Sequence, residues 1–150
     1  MLERVFVGNS SHKLDDKARL FLPAKFREGL TEEVVIAPSQ EHCLAVWSMP
    51  GFAKYCESLL NESPTDRKVR DFVRFLSHNS ALESVDKQGR VGLKPALREW
   101  AGLDREVLIT GAINHAEIWE PTRWHTLNEG NKERFANLDG PISGGMSLPY

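Results

Sequence analysis

The chain carries Leu14-Asp15-Asp16-Lys17-Ala18-Arg19-Leu20-Phe21-Leu22-Pro23-Ala24-Lys25-Phe26-Arg27-Glu28 and repeats it as Val85-Asp86-Lys87-Gln88-Gly89-Arg90-Val91-Gly92-Leu93-Lys94-Pro95-Ala96-Leu97-Arg98-Glu99. An aspartate, two arginines and a glutamate recur in register, at a constant offset of 71 residues (86 − 15 for the aspartate). Apolar residues match at Leu14/Val85, Leu20/Val91, Leu22/Leu93 and Phe26/Leu97. This internal repeat predicts two copies of one supersecondary unit.

Each copy predicts a strand, a charged turn, a second strand, a short helix and two further strands. The alternation of Leu20 and Leu22 is typical of a half-buried strand, and the following proline suits a first helical turn. One copy alone would expose unpaired sheet edges, so the two copies are expected to share a core. In that arrangement the two charged turns can lie close together.

Other segments predict helices and one more strand. An edge strand is expected around Val5-Phe6-Val7. Apolar residues at 52, 55, 56, 59 and 60 follow a helical period. A second amphipathic helix follows, capped by Thr65 or Asp66, with apolar positions Val69, Phe72, Val73 and Leu76. A weaker helix is expected over about 122–136, made doubtful by Gly130.

The second of these helices also carries Arg67, Lys68, Arg70 and Arg74. Two interpretations stay open. The helix could touch DNA through its basic face, or it could join the repeats with its apolar face packed and its basic face solvated. The second interpretation is favoured, because this pair of helices joins the two repeats.

Composition indicates an ordinary globular chain, with 41% hydrophobic and 27% charged residues. No apolar run approaches the ~18 residues of a membrane span, and no signal-peptide pattern is expected. With two cysteines and no metal-like spacing, the prediction is a cytoplasmic chain with reduced thiols. The net charge of −2 argues mildly against nucleic acid, although basic residues cluster in both copies of the repeat.

Arg19 and Arg90 are the principal candidate site residues. An arginine on a turn can donate two hydrogen bonds to guanine O6 and N7 in the major groove. The alternative is an arginine that only staples its turn by pairing with the aspartate four residues earlier, Asp15 or Asp86. Lys13, Lys17 and Lys87 are candidate phosphate contacts, with ordinary solvated lysines as the alternative. Arg27 and Arg98 are interpreted as structural.

No constellation predicts an enzyme, a cofactor or a metal. The five histidines are scattered, without the spacing of a metal motif. No serine nucleophile elbow and no glycine-rich phosphate loop is present. Cys43 lies in an apolar run and is expected in the core, as are Trp47 and Trp119 at the ends of matching strands.

The two aspartate–arginine motifs, with Phe6-Val7-Gly8 ahead of the first, resemble the MraZ family of bacterial transcriptional regulators, which carry two AbrB-like (SpoVT-AbrB) domains in one chain. The resemblance covers residues 6 to about 124. It departs from the family pattern at Ala18, where glycine is usual, and at Lys94, where proline is common. If the first turn needs a positive φ, Ala18 is strained there and the turn could be shaped differently.

The resemblance implies an α+β, mainly β fold: a tandem AbrB-like, swapped-hairpin β-barrel pseudo-dimer with connecting helices. The expected divisions are a first domain at 6–51, a helical connector at 52–79, a second domain at 80–123, and a C-terminal helix with a flexible tail at 124–150. It also implies a ring-like homo-oligomer, an octamer or dodecamer.

The resulting functional prediction is a sequence-specific DNA-binding transcriptional regulator. It is expected to repress the division and cell-wall operon. Its partner is double-stranded DNA carrying promoter direct repeats, its location is cytoplasmic and nucleoid-associated, and it needs no cofactor. The alternative is an antitoxin-like protein-interaction module of the same fold.

Overall fold

A computed structural model of the chain describes residues 5–139. Its elements follow the order expected for two copies of one unit. The strands are β1 Asn9–Lys13, β2 Arg19–Phe21, β3 Glu33–Ser39, β4 Cys43–Ser48, β5 Ala81–Ser84, β6 Arg90–Gly92, β7 Glu106–Gly111 and β8 Ala116–Trp119. The helices are α1 Ala24–Arg27, α2 Met49–Leu60, α3 Arg67–Asn79, α4 Pro95–Ala101 and α5 Pro121–Ala136.

The strands form two antiparallel sheets. Six of them lie in the order β1-β7-β8-β4-β3-β5, and β2 pairs with β6 in a separate two-stranded ribbon. The first strand of each copy pairs with the third strand of the other copy, β1 with β7 and β5 with β3. Neither copy therefore completes its own sheet.

Equivalent positions of the two copies meet each other. Leu20 lies opposite Val91 in the ribbon, and these residues are 71 apart (91 − 20). Ala45 lies opposite Glu117 in the large sheet, at the offset of 72 that also relates Trp47 to Trp119 (119 − 47). The strand pairing thus follows a two-fold pattern centred on these two pairs.

The main core lies between the ribbon and the large sheet. Leu20 and Val91 on the inner face of the ribbon are buried in one cluster with Phe26 and Leu97 of the short helices. The large sheet closes this cluster with Val34, Ile36, Leu44, Val46, Val107, Ile109, Ala116 and Ile118. This shared core confirms that the two copies bury their apolar faces together.

The other face of the large sheet is covered by helices. Leu76 of α3 packs with Val35 and Trp47 and with part of α2, and Trp124 of α5 packs with Trp119. The Asp66 side chain, one of the two predicted caps, caps α3 by accepting a hydrogen bond from the Lys68 amide. Helix α5 runs unbroken through Gly130, because Glu120 caps its first turn and the helix packs on the sheet.

Two expectations were wrong. The strand predicted at Val5-Phe6-Val7 is a single bridge from Phe6 to Ile113. Gly8, at φ +85°, then redirects the chain, and regular pairing with β7 starts at Asn9. The expected closed barrel is also absent from residues 5–139, since the large sheet ends at β1 and β5 and the ribbon is separate. What is confirmed is the α+β class with mainly antiparallel strands.

Within the same residues, every helix is too short or too polar to cross a bilayer. The tail expected at the end of the chain lies, from residue 140 onward, outside the described residues.

Candidate nucleic-acid interface

The outer face of the β2–β6 ribbon brings both candidate arginines together. Because strand side chains alternate, the burial of Leu20 and Val91 turns their neighbours outward. Arg19 lies opposite Gly92, and Phe21 lies opposite Arg90. The expectation that the two arginine-bearing turns come close is therefore confirmed, and the Arg90 Nη1 lies 4.0 Å from Asp15 Oδ2.

Each arginine is held by the aspartate that opens its turn. In the first copy, Asp15 Oδ1 accepts hydrogen bonds from the amides of Lys17 and Arg19, and Asp15 Oδ2 accepts from Arg19 Nε at 2.8 Å. The turn closes with two backbone bonds, from the Ala18 amide to the Asp15 carbonyl and from the Asp15 amide to the Arg19 carbonyl.

The second copy reproduces this turn bond for bond. Asp86 Oδ1 accepts from the amides of Gln88 and Arg90, and Asp86 Oδ2 accepts from Arg90 Nε at 2.9 Å. The donated hydrogen bonds, above all the Arg19 amide for Asp15 and the Arg90 amide for Asp86, lower the pKa of both carboxyl groups. Both aspartates, whose ordinary pKa already makes them anions at neutral pH, accept hydrogen bonds from their arginines as anions.

Ala18 adopts the strained conformation that its place in the motif required. Its φ is +57°, and Gly89 at the equivalent position has φ +83°. The first turn is therefore not shaped differently from the second; it keeps the same hydrogen bonds with an alanine in the left-handed region.

The guanidinium groups are anchored but not enclosed. Both arginine side chains keep 31% of their surface exposed. The aspartate takes the Nε–H, and the other four N–H donors belong to the two terminal nitrogens. The alternative interpretation, a stapling ion pair, describes the Nε edge of each guanidinium, and Arg90 Nη1 additionally lies 4.0 Å from Asp15. In each turn the carboxylate also fixes the orientation of the part of the guanidinium that stays exposed.

The three candidate lysines separate into two groups. Lys17 and Lys87 are exposed on the two turns, next to the ribbon face. Lys13 lies on β1 opposite Glu106. It alternates with His12, whose ring faces Phe21, so Lys13 projects from the other face of β1. The structure brings Lys17 and Lys87 to the arginines and does not bring Lys13 there.

Sequence reasoning missed Phe21 and His12. Phe21 is 41% exposed on the outer ribbon face. The His12 ring centroid lies 5.8 Å from that of Phe21, and burial together with nearby Lys25 lowers the pKa of His12. The alternation of buried Leu20 and Leu22 was the available signal, since it places Phe21 on the same face as Arg19.

Arg27 and Arg98, which were interpreted as structural, both contact other parts of the protein. The Arg27 guanidinium lies over the Phe21 ring at 5.5 Å. It also reaches the other copy, where a Cβ at Gly89 would lie 2.7 Å from Arg27 Nη1. Arg98 Nε donates to the Leu93 carbonyl at 3.1 Å.

The rest of the described surface offers different features. Arg67 and Arg74 of α3 pair with Asp71 on the same helix, and Leu76 anchors the helix to the sheet.

Cys43 is buried, and burial strongly raises the pKa of its thiol. Over residues 5–139, no three histidine, cysteine or acidic side chains gather in a way that could hold a metal ion.

Comparison with known proteins agrees with the repeat. The family model described as "MraZ protein, putative antitoxin-like" matches residues 5–75 and 77–140. The chain belongs to the MraZ family. The two segments of the MraZ match contain one Asp–Arg turn each.

Relatives within the MraZ family cover nearly the whole chain. A protein of Nocardioides sp. named transcriptional regulator MraZ is 42% identical over 134 residues, which are 89% of this chain and 93% of the relative. Proteins of the same name from Cutibacterium acnes and Leifsonia xyli subsp. xyli are 38% and 39% identical. Those alignments cover 92% and 95% of this chain and 97% and 99% of the relatives. Transcriptional regulator is a non-enzymatic name, in line with the prediction that the chain is not an enzyme.

Proposed function

We propose that this chain is a sequence-specific DNA-binding transcriptional regulator that uses the β2–β6 ribbon as its DNA-contacting surface. The observation that carries the proposal is the pair of partly exposed arginines, each oriented by an ionised aspartate, on one face of a two-stranded ribbon. A two-stranded ribbon fits the major groove of B-DNA, and arginine donating two hydrogen bonds to guanine is the commonest specific contact there.

The contacts divide by role. Arg19 and Arg90 contact base edges and carry the specificity. Lys17 and Lys87, on the turns beside them, contact phosphates and position the ribbon. Lys13 faces away from the ribbon, so its contribution is restricted to long-range attraction of the DNA.

Affinity in this proposal comes from several subunits acting together. With a net charge of −2, one chain binds DNA weakly. A homo-oligomer on spaced direct repeats gains affinity because each further contact is intramolecular. The proposed assembly is a ring of eight or twelve subunits. It acts as a repressor at the promoter of the division and cell-wall operon, and it is located in the cytoplasm, associated with the nucleoid.

The exchange of first strands between the copies supports a further structural proposal. Each copy, with its domain at 6–51 or 80–123, is one half of a swapped-hairpin pseudo-dimer. The helices at 52–79 connect the halves, and a separate C-terminal segment begins at residue 124.

The decisive experiment measures fluorescence anisotropy of labelled duplexes that carry several spaced repeats, at two salt concentrations. The wild-type chain is expected to bind with an affinity that falls steeply with salt. Arg19→Ala is expected to lose about 1–3 kcal/mol of binding free energy per contact. Lys17→Ala should weaken binding to all sequences alike.

Two control variants separate the ribbon from general charge. Arg67→Ala removes an exposed arginine of α3, and Arg134→Ala removes one of α5; both are expected to bind like the wild type. If Arg67→Ala were as damaging as Arg19→Ala, the basic face of α3 would be the DNA-contacting surface instead. A pure monomer in light scattering at micromolar concentration would contradict the multivalent mechanism.

The antitoxin-like description of the family keeps a protein-interaction role as the second candidate. An apolar groove of about 610 Å³ between α2, α3 and β5, lined by Leu60 and Leu82 among others, favours it. Absent or salt-insensitive DNA binding in the same titration would support that role.

A further inference from the structure

Phe21 is an exposed aromatic side chain in the middle of a basic surface. It shares the outer face of the ribbon with Arg19 and Arg90. The neighbouring positions in its strand, Leu20 and Leu22, are buried in the main core, so Phe21 adds nothing to that core. An aromatic ring left on this face can contribute to binding.

The ring is held from the sides. The His12 ring is tilted at 55° to it, and the Arg27 guanidinium lies over it at 5.5 Å, a cation–π distance. Phe21 keeps 41% of its surface exposed beside these two contacts. The ring is thus supported by a neighbour on β1 and by one on α1.

The spacing relates Phe21 to the bases that the arginines contact. Residues directly opposite in an antiparallel pair have Cβ atoms about 5 Å apart, which applies to Phe21 and Arg90. Residues two apart in a strand are separated by about 7 Å, which applies to Phe21 and Arg19. Base pairs stack about 3.4 Å apart, so Phe21 faces the base pair next to one contacted by an arginine, or the one beyond it.

We propose that Phe21 is a specificity-determining residue that contacts the C5-methyl group of a pyrimidine in the major groove, one or two base pairs from the guanine contacted by Arg90. This inference rests on the proposed function. The C5-methyl group is the apolar group that the major groove presents, and phenylalanine is one of the side chains that contacts it. Thymine and 5-methylcytosine both carry this group.

The second copy has no counterpart of this contact. The position equivalent to Phe21 is Gly92 (92 − 21 = 71), and His12 is replaced by Glu83. A Cβ at Gly92 would lie 3.7 Å from Glu83 Oε1. The half of the ribbon around Arg19 therefore lacks an aromatic side chain. The Glu83 side chain is only 16% exposed there and pairs with Lys94 at 3.5 Å. The two halves of the face consequently make different demands on the DNA.

The test starts from a duplex selected by the wild-type chain from a randomised pool. Each thymine of that duplex is replaced in turn by deoxyuridine, which removes only the methyl group, and each cytosine by 5-methylcytosine. One deoxyuridine position, adjacent to a guanine or one base pair beyond it, is expected to weaken wild-type binding about fourfold, the equivalent of one buried methyl. Replacing that thymine by cytosine should weaken binding, and 5-methylcytosine should restore part of the loss.

Variants assign the effect to the side chain. Phe21→Ala is expected to bind the thymine and deoxyuridine duplexes equally while still requiring the guanine. Phe21→Leu should keep part of the discrimination. Phe135→Ala, which removes an exposed phenylalanine from α5, should discriminate as the wild type does. Circular dichroism confirms that each variant is folded.

Two failures can be told apart. A wild-type chain that selects no duplex and binds none overturns both the proposed function and this inference. A chain that binds and requires guanine, but is indifferent to deoxyuridine at every position, overturns the role of Phe21 alone. So does a Phe21→Ala variant that keeps the full discrimination.

Discussion

At the scale of single residues, one backbone conformation is used by two different residue types. Ala18 and Gly89 occupy equivalent turns with positive φ and the same hydrogen bonds. An L-residue in the left-handed region costs about 1–2 kcal/mol, whereas glycine adopts it freely. The first turn therefore carries strain that the second lacks, although both present an arginine in the same way.

Exchanging these residue types gives opposite effects on stability. Ala18→Gly is expected to raise the free energy of unfolding by about 0.5–1 kcal/mol, because relief of the strain exceeds the added flexibility of the unfolded chain. Gly89→Ala is expected to lower it by about 1–2 kcal/mol, because alanine is strained at this positive φ; the Arg27 guanidinium, at the end of a flexible side chain, can shift away from the added Cβ. Urea unfolding of the two variants measures both values. Equal effects of the same sign would contradict this account.

At the scale of elements, helices α2 and α3 differ in how firmly their apolar residues are held. Leu76 of α3 is only 8% exposed and packs on Val35 and Trp47 of the large sheet. Leu60, at the end of α2, is 71% exposed. The connector between the repeats is thus anchored at α3 and leaves part of its apolar surface uncovered.

A matched pair of leucine substitutions tests this anchoring. Leu76→Ala is expected to lower the free energy of unfolding by about 2–4 kcal/mol through lost burial and a cavity. Leu60→Ala should change it by less than about 0.5 kcal/mol. Thermal or urea unfolding followed by circular dichroism gives both numbers. A small effect of Leu76→Ala would mean that α3 is not fastened to the sheet.

At the scale of the whole molecule, the two copies depend on each other. Strand β1 finds its partner β7 in the second copy, β5 finds β3 in the first, and the ribbon takes one strand from each. The exposed segment at 61–66 between α2 and α3 takes no part in this pairing. The chain can be divided there without cutting a strand.

Fragments 1–62 and 63–150 are expected not to fold as separate monomers, because each lacks the partners of its first two strands and half of the main core. Mixed in equal amounts, they are expected to recover the circular dichroism spectrum and a cooperative melting transition. Light scattering with thermal melting of each fragment checks the first statement. A fragment that melts cooperatively as a monomer would show that one copy has a sufficient core of its own.

Much of this architecture was accessible from sequence patterns. The repeat is visible in the sequence itself. The alternation of Leu20 and Leu22, the helical spacing ending at Leu76 and the cap at Thr65 or Asp66 are local features, and the structure agrees with them. The strand predicted at Val5–Val7 failed because an apolar run does not show where the chain turns, and Gly8 redirects it. The closed barrel failed because closure depends on pairing at the sheet edges, which no local pattern specifies.

By itself, the sequence determined that two equivalent units exist and that each carries an arginine on an aspartate-closed turn, because turn chemistry and strand alternation depend on residues close together in the chain. The tertiary structure alone decided which strands pair and therefore which side chains share a face. It brought Phe21 opposite Arg90 and turned Lys13 away, since pairing between residues about 70 positions apart is settled by burial of the common core.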